Sequence, residues 1–281
     1  MINPLRSLLI GALLLAPLAA RAETHATCAG FIDSVPTVIN TQGTWCLRHD
    51  VSTNISVGSA IEIGTNNVTI DCNDFKIGGL AAGIESTTVG IKAISRQNIT
   101  VRNCSVRGFF TGVQITSGAG HLVEDNRVDN SLRYGLYVAA EHSVTRRNRV
   151  FDTGGAPGIN ATAGIVARAD IIDNVVSGVF CDNVNAWPTG IEQQSGSAGI
   201  IEGNRVSGLV TAGSGIAIGI TAYPLYPRVQ GNHVTAQTMT AGIGIWTPGS
   251  TSFCLENTVA NFQTARQNCG QSVGNLDFPT P

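Results

Sequence analysis

Short runs of β-branched and other apolar residues recur along most of the chain, separated by Gly, Asn and Asp. Examples are NVTI at 67–70, NITV at 98–101 and GVQI at 112–115. Apolar and polar residues alternate within each run, which is typical of a strand with one buried face. Long apolar patterns with the helical period are absent. The pattern therefore predicts an all-β chain of many short strands.

These runs repeat with a regular period. An Asn two residues before a valine recurs with spacings of 22 to 30 residues, and Cys104 takes the equivalent place in an earlier copy. The asparagines are Asn126, Asn148, Asn174, Asn204, Asn232 and Asn257. A second series has Gly before an apolar-x-apolar triplet, at Gly112, Gly135, Gly164, Gly190, Gly215 and Gly242.

A period in the twenties predicts a solenoid, because one such unit cannot bury its apolar face without its neighbours. Leucine-rich repeats share the period, but their leucine consensus and helical segment are missing. Short strands stacked in parallel instead predict a single-stranded parallel β-helix of about seven to eight coils. Asparagines at one corner would then form a hydrogen-bonded ladder from coil to coil, and replacing one with Ala would cost about 1 to 3 kcal/mol.

The stretch NITVRNCSVRGFFTGVQI, residues 98–115, and its later copies resemble the right-handed parallel β-helix superfamily, also called pectate-lyase-like. The resemblance covers about residues 60 to 260. It implies a right-handed solenoid with an Asn ladder, and its active members are lyases, hydrolases, esterases and epimerases of acidic polysaccharides. The Asn-Thr-Asp, Asp-Asp and Asp-Pro-His elements of such enzymes are missing, so no specific enzyme family is matched.

The N-terminal residues fit a signal peptide. Arg6 precedes an apolar run from Leu8 to Leu18, and Ala20-Arg21-Ala22 matches the small-x-small cleavage rule. Residues 1–22 are therefore expected to be removed, leaving one β-helix domain over 23–281. Its ends would be closed by an N-terminal cap at about 23–55 and a C-terminal cap at about 253–281. A secreted or periplasmic location follows, with no membrane span.

Seven cysteines in an exported chain suggest disulfides and one free thiol. Their positions predict three pairs, Cys28 with Cys46, Cys72 with Cys104 and Cys254 with Cys269. Cys181 is left over, and a small buried side chain is a simpler interpretation of it than a nucleophile. With 17 Lys and Arg against 19 Asp and Glu, the chain has no basic footprint for nucleic acid. No metal or cofactor is expected, and the protein is expected to be a monomer.

Charges at equivalent positions of successive coils alternate in sign, as in Arg102, Glu124 and Arg146, and predict structural ion pairs. Arg127 and Arg149 break this rule, since both follow ladder residues on adjacent coils. Pairing with Asp125, Asp129 and Asp152 is the simpler interpretation. The alternative is an anion site in which the two arginines bind carboxylate or sulfate groups of a glycan, and this makes them candidate substrate-binding residues.

Two enlarged segments, DTGGAPGINATA and SGVFCDNVNAWPT, leave the same corner on consecutive coils, and TAYPLYPRVQ is extended elsewhere. Long loops on a regular scaffold commonly bind ligands. Their aromatic residues Trp187, Tyr223 and Tyr226 are candidates for stacking on sugar rings, although packing against the next coil is the common alternative. The outward row on the Gly strands is expected to contain Lys92, Gln114, Tyr137, Val166, Glu192, Ala217 and Gly244.

Tyr137 with His142 or Arg133 is the best candidate set for proton abstraction in this row, and Glu192 is a further candidate for substrate binding. A surface position for His142 is the competing interpretation. The sequence thus predicts binding or processing of a polysaccharide, with acidic ones as candidates, in a groove beside the enlarged loops. The alternative is a non-enzymatic surface scaffold that presents its loops to a protein or cell-envelope partner. Whether the protein is an enzyme stays open.

Overall fold

The computed structural model describes residues 28–196, 199–223, 226–249 and 251–278. The predicted signal peptide and the first residues of the N-terminal cap lie outside these ranges. The described chain is an all-β, right-handed parallel solenoid of about nine turns, close to the seven to eight expected. A single 3-10 turn at Leu80–Ala82 is the helical element among the described residues.

Three sheets, here named A, B and C, form the faces of the solenoid, and from strand Gly43–Cys46 onward the chain passes through them in that order. Sheet A has eleven strands, paired in parallel from coil to coil. They are Gly30–Phe31, Gly43–Cys46, Val68–Asp71, Ile99–Arg102, Leu122–Glu124, Val144–Arg146, Asp170–Ile172, Ile200–Glu202, Arg228–Gln230, Phe253–Leu255 and Gln271–Val273.

Sheet B follows the asparagine corner. Its strands are Val51–Ser52, Lys76–Gly78, Ser105–Arg107, Arg127–Asp129, Arg149–Thr153, Val175–Val184, Arg205–Ala212 and Leu276–Phe278. Sheet C comes next, with Thr37–Ile39, Ser59–Ile63, Val89–Gln97, Thr111–Ala119, Tyr134–Glu141, Ala161–Ala167, Trp187–Gln193 and Ala217–Ala222. Two long strands, His233–Trp246 and Thr258–Gln267, turn the corner and belong to both sheets.

The core is built from columns of inward aliphatic side chains, one column for each sheet. In a typical coil Ile171 of sheet A, Val176 of sheet B and Ile191 of sheet C are fully buried. Each such side chain contributes about 1.5 to 3 kcal/mol through burial. Stacking therefore stabilises the coils, and a single coil has no core of its own.

The asparagine corner is hydrogen-bonded along the solenoid axis. The Nδ2 and backbone N–H of Asn126 both donate to Oδ1 of Asn148, at 2.9 and 3.1 Å. The same two bonds join each later asparagine to the next, and Asn275 extends the series by one member. The other Nδ2 hydrogen of each of these asparagines is donated to a backbone carbonyl of sheet A. Asn174, for example, donates it to Thr145 O.

Glycine recurs at the start of the sheet C strands because a larger residue would collide with the core. A Cβ on these glycines would lie 2.2 to 2.6 Å from Cγ1 of a sheet B valine. The column is Gly90, Gly112, Gly135, Gly164, Gly190, Gly219 and Gly244. The prediction of Gly215 and Gly242 for the last two places was wrong, because these glycines also precede apolar-x-apolar triplets but lie four and two residues before the glycines that are in register.

The core ends in polar residues at the C-terminal coil. The register places Arg266 above Ile245, Asp277 above Val259 and Ser272 above Cys254, so polar side chains take over three apolar columns. Arg266 Nε donates to Asp277 Oδ1 at 2.9 Å, and Nη1 donates to Ser272 Oγ. We call Arg266, Ser272 and Asp277 the polar plug. It covers the last aliphatic layer, as terminal repeats of solenoids commonly do.

The disulfides link Cys28 to Cys46, Cys72 to Cys104 and Cys254 to Cys269, which are the three predicted pairs. The first and last lie in the terminal segments, and the second joins neighbouring coils. Cys181 is free and buried, its Sγ lies 2.9 Å from Thr162 Oγ1, and burial raises the pKa of its thiol. A buried, protonated thiol is unreactive, in agreement with a packing role.

Candidate functional site

The outer face of sheet C carries one row of side chains along the solenoid axis. In-register pairing places them on successive coils, about 4.8 Å apart. The row contains Lys92, Gln114, Tyr137, Val166, Glu192, Thr221 and Trp246. The prediction of Ala217 and Gly244 as the last two members of the row was wrong, for the same reason as the prediction of Gly215 and Gly242 in the glycine column. Trp246 was therefore not among the predicted members of the row.

The enlarged segments lie along both edges of this face. At the edge next to sheet B, residues 154–160 stack on residues 183–186, where Asn183 Nδ2 donates to Ile159 O and Asn160 Oδ1. Trp187 begins the sheet C strand at this edge and is 52% exposed. Tyr223 and Tyr226 follow strand Ala217–Ala222 at the opposite edge. Sheet C is thus the floor of a groove, which we call the sheet C groove.

Aromatic and cationic side chains cluster in the lower part of this groove. The guanidinium of Arg133 lies 4.7 Å from the ring centre of Tyr134 and 5.9 Å from that of Phe110. The rings of Tyr134 and Tyr137 are 5.2 Å apart. These residues, with Gln114, line a cavity of about 430 Å³. The structure therefore brings together Arg133 and Tyr137, two members of the predicted catalytic set.

Glu192 lies in the middle of the floor, between Val166 and Thr221. Burial raises the pKa of its carboxyl group, and a hydrogen bond from Gln194 offsets part of this effect. No cation occupies the floor row next to it. A carboxyl group in such a place takes up a proton more readily than an exposed one, and such groups are suited to proton transfer.

Trp246 and Tyr223 form the upper part of the groove. Their rings are 6.0 Å apart in an edge-to-face arrangement, which is favourable for aromatic pairs. The Trp246 Nε1 is buried and has no hydrogen-bond partner among the described residues. Tyr226 is largely exposed beyond them. The floor row therefore has aromatic residues on both sides of Glu192, two coils away in each direction.

His142 lies apart from this cluster. It is exposed, has a left-handed backbone and occupies the turn after strand Tyr134–Glu141, at the edge near sheet A. There it lines a different cavity of about 350 Å³, together with Arg168. Five residues of extended strand separate it from Tyr137, about 16 Å. The structure thus does not bring His142 to Tyr137 or Arg133.

Arg127 and Arg149 lie on sheet B, on the other side of the enlarged corner. They are in register on adjacent coils and line a cavity of about 510 Å³ with Arg147. Arg127 pairs with Asp129 at 3.0 Å and stacks on Phe151. The side chain of Arg149 has no hydrogen bond or ion pair within the described ranges, so it stays a candidate for anion binding. Both are separate from the sheet C groove.

The alternating charges at the sheet A corner form the expected ion pairs. Arg102 bonds to Asp71, and Arg146 and Arg147 both bond to Glu124. Arg147 also binds Asp125, which holds the pKa of that carboxyl below its usual value. These pairs join successive coils and are structural. The described part of the chain contains no cluster of three or more His, Cys, Asp or Glu able to hold a metal ion.

No helix within the described ranges is long and apolar enough to cross a membrane. No curated protein matches the sequence. Among solved structures, the Dettilon tailspike protein is similar at 15% identity and a TM-score of 0.47, over 89% of this chain and 60% of that one.

The A-module of the Azotobacter vinelandii mannuronan C-5 epimerase AlgE6 is similar at 14% identity and a TM-score of 0.46, over 91% and 80% of the two chains. The DFA-IIIase from Arthrobacter chlorophenolicus is similar at 10% identity and a TM-score of 0.47, over 82% and 63%. The family model described as "Right handed beta helix region" matches residues 37–186, more than half of the sequence. The chain therefore belongs to the right-handed β-helix family.

Proposed function

We propose that the protein binds a polysaccharide along the sheet C groove. The observation that carries this proposal is the floor row, in which Tyr137 and Trp246 lie on either side of Glu192. Four coil steps separate the two aromatic residues, about 19 Å. An open groove of this length accommodates several sugar units, and aromatic faces provide apolar contact to sugar rings.

Binding is favoured over hydrolysis by the single carboxyl group. Glycoside hydrolysis ordinarily uses two carboxylates about 5 to 10 Å apart. Between Gln114 and Trp246 the described floor row contains only Glu192. Processing of the bound glycan would therefore rest on proton transfer by Glu192, with Tyr137 and Arg133 two coils away.

Export belongs to the same proposal. Three disulfides are typical of an oxidising compartment, because thiols are kept reduced in the cytosol. The signal-like residues 1–22 point in the same direction. A secreted or periplasmic protein would meet polysaccharides of a cell envelope or of the surroundings.

A protein-binding scaffold is the second candidate function. Val184, Val210 and Trp187 are each more than half exposed on the enlarged corner between sheets B and C. Exposed apolar residues that lie close together are a common feature of protein interfaces. On this alternative the solenoid presents the corner to a partner and the groove has no ligand.

The test is a glycan array with the mature protein and Trp246→Ala. Loss of one aromatic contact is expected to weaken binding about tenfold, which corresponds to roughly 1.4 kcal/mol. Phe278→Ala is the matched control, since Phe278 is an exposed aromatic residue on the terminal coil, outside the groove. Unchanged binding by folded Trp246→Ala would contradict the groove assignment. Absence of binding by the folded wild-type protein would favour the scaffold.

A further inference from the structure

Arg133 is a cation of the sheet C groove with no opposite charge beside it. Lys92, lower in the row, lies 3.8 Å from Glu62. Arg133 forms no ion pair within the described ranges, and its Nε is buried without a hydrogen-bond partner. Its position is fixed instead by the rings of Tyr134 and Phe110 and by its backbone N–H, which donates to Phe110 O at 2.9 Å.

The cavity beside Arg133 is free of acidic residues. Its lining consists of threonine, aromatic, valine and glutamine side chains, with Arg133 as the one charged group. The Tyr137 hydroxyl, the Gln114 amide and the hydroxyl of Thr116 all belong to this lining and can donate hydrogen bonds. A cavity of about 430 Å³ with one cation and several neutral donors has the composition of an anion site.

The guanidinium of Arg133 also favours one kind of anion. It lies near two aromatic rings, and like any guanidinium it carries its N–H donors along a planar edge. Such an edge matches the planar, two-oxygen geometry of a carboxylate, with two parallel N–H···O bonds. Arg127 of sheet B also lies against an aromatic ring, that of Phe151, but its guanidinium is already paired with Asp129.

We propose that the Arg133 cavity binds the carboxylate of a uronic acid unit, so that the polysaccharide of the sheet C groove is an acidic one. This inference rests on the proposed function and adds its substrate class. Glu192, two coils further along, would repel such a chain when ionised. Burial raises the pKa of Glu192 and so disfavours its charged form.

The test compares three ligands by calorimetry: a uronate oligosaccharide, its carboxyl methyl ester and a sulfated neutral oligosaccharide of equal length. The wild-type protein is expected to bind the free uronate about tenfold more tightly than the ester. Arg133→Gln is expected to lose this preference and to bind the ester as the wild type does. Arg228→Gln, an exposed arginine of sheet A, is the matched control and should keep the preference.

Equal affinity of the wild-type protein for uronate and ester would overturn the inference but leave glycan binding standing. So would tighter binding of the sulfated ligand, or a preference for uronate retained by Arg133→Gln. Arg133→Lys keeps the charge without the planar edge and should show an intermediate preference, which separates recognition from misfolding. Failure of all three ligands to bind the folded protein would instead refute the proposed function.

Discussion

Replacement of Asn174 by Ala tests the role of the asparagine corner, because Asn174 lies in its middle and is fully buried. Its Oδ1 accepts the backbone N–H and the Nδ2 of Asn148, at 2.9 and 3.0 Å. Its own Nδ2 donates to Thr145 O and Asn204 Oδ1, at 2.9 and 3.0 Å. The substitution removes four hydrogen bonds and adds no group that could replace them.

The groups that lose a hydrogen bond in this substitution are not equally affected. The Nδ2 of Asn148 keeps a bond to Val123 O, and Asn204 Oδ1 still accepts the backbone N–H of residue 174. The backbone N–H of Asn148 loses its partner in a buried place. One orphaned buried donor costs about 1 to 3 kcal/mol. For a chain of this size, that lowers the melting temperature by about 2 to 12 °C.

Thermal unfolding followed by circular dichroism measures this change. Asn275→Ala is the matched comparison, since Asn275 is the last asparagine of the corner and only half-buried. It accepts hydrogen bonds from Asn257 but donates to no later asparagine of the series. A smaller decrease is expected for it. If Asn174→Ala melts at the wild-type temperature, the buried hydrogen bonds of the corner do not stabilise the solenoid and the reasoning is refuted.

Two further predictions concern the glycine column and Glu192. Gly164→Ala would place a Cβ 2.3 Å from Val176 Cγ1, so it should lower the melting temperature. Gly249→Ala should not, because a Cβ there would make only an ordinary contact with Thr251 Oγ1, at 3.9 Å. Equal effects of the two substitutions would contradict the steric argument. The second prediction concerns Glu192, whose proton is held more tightly in the folded protein than in the unfolded chain because burial raises its pKa. The wild type should therefore lose stability as the pH rises from the ordinary glutamate pKa of about 4.3 through the raised pKa of Glu192. Glu192→Gln should therefore melt higher than the wild type at pH 8 and equally at pH 4; a difference independent of pH would count against a buried carboxyl.

Much of the architecture could be predicted from the sequence, because every coil repeats the same physical requirements. The spacing of residues such as Asn126 and Asn148 identified positions that share one corner. The cysteine pairs followed from their places in the chain, since Cys72 and Cys104 occupy neighbouring coils. Repetition converts a distance along the sequence into a distance along the solenoid axis.

The prediction failed where a coil departs from the repeat. Gly219 and Gly244 were missed because Gly215 and Gly242, a few residues earlier, have the same sequence pattern and offered an alternative register. Trp246 was missed with them. Asn275 was overlooked because Asp277 stands where earlier copies have valine.

The sequence alone could not show which residues near the enlarged corner face outward from sheet B and which from sheet C. Arg127 and Glu192 lie beside the same corner in chain order, yet they face outward from different sheets. The direction of an outward side chain depends on where the chain bends between two strands, and one residue more or less changes it. The clustering of Arg133 with Tyr134 and Phe110 likewise depends on contacts between coils.

The polar plug has a consequence for how such a chain can change in length. The charged and hydroxyl groups that close the core are confined to its final layer, so nothing in the interior fixes how many layers come before it. Duplication of one 22-residue coil, the spacing from Asn126 to Asn148, would add about 4.8 Å to the rod and one position to the groove floor. The ends would stay as they are. Internal duplication is thus a route by which this protein could acquire a longer groove without a new terminus.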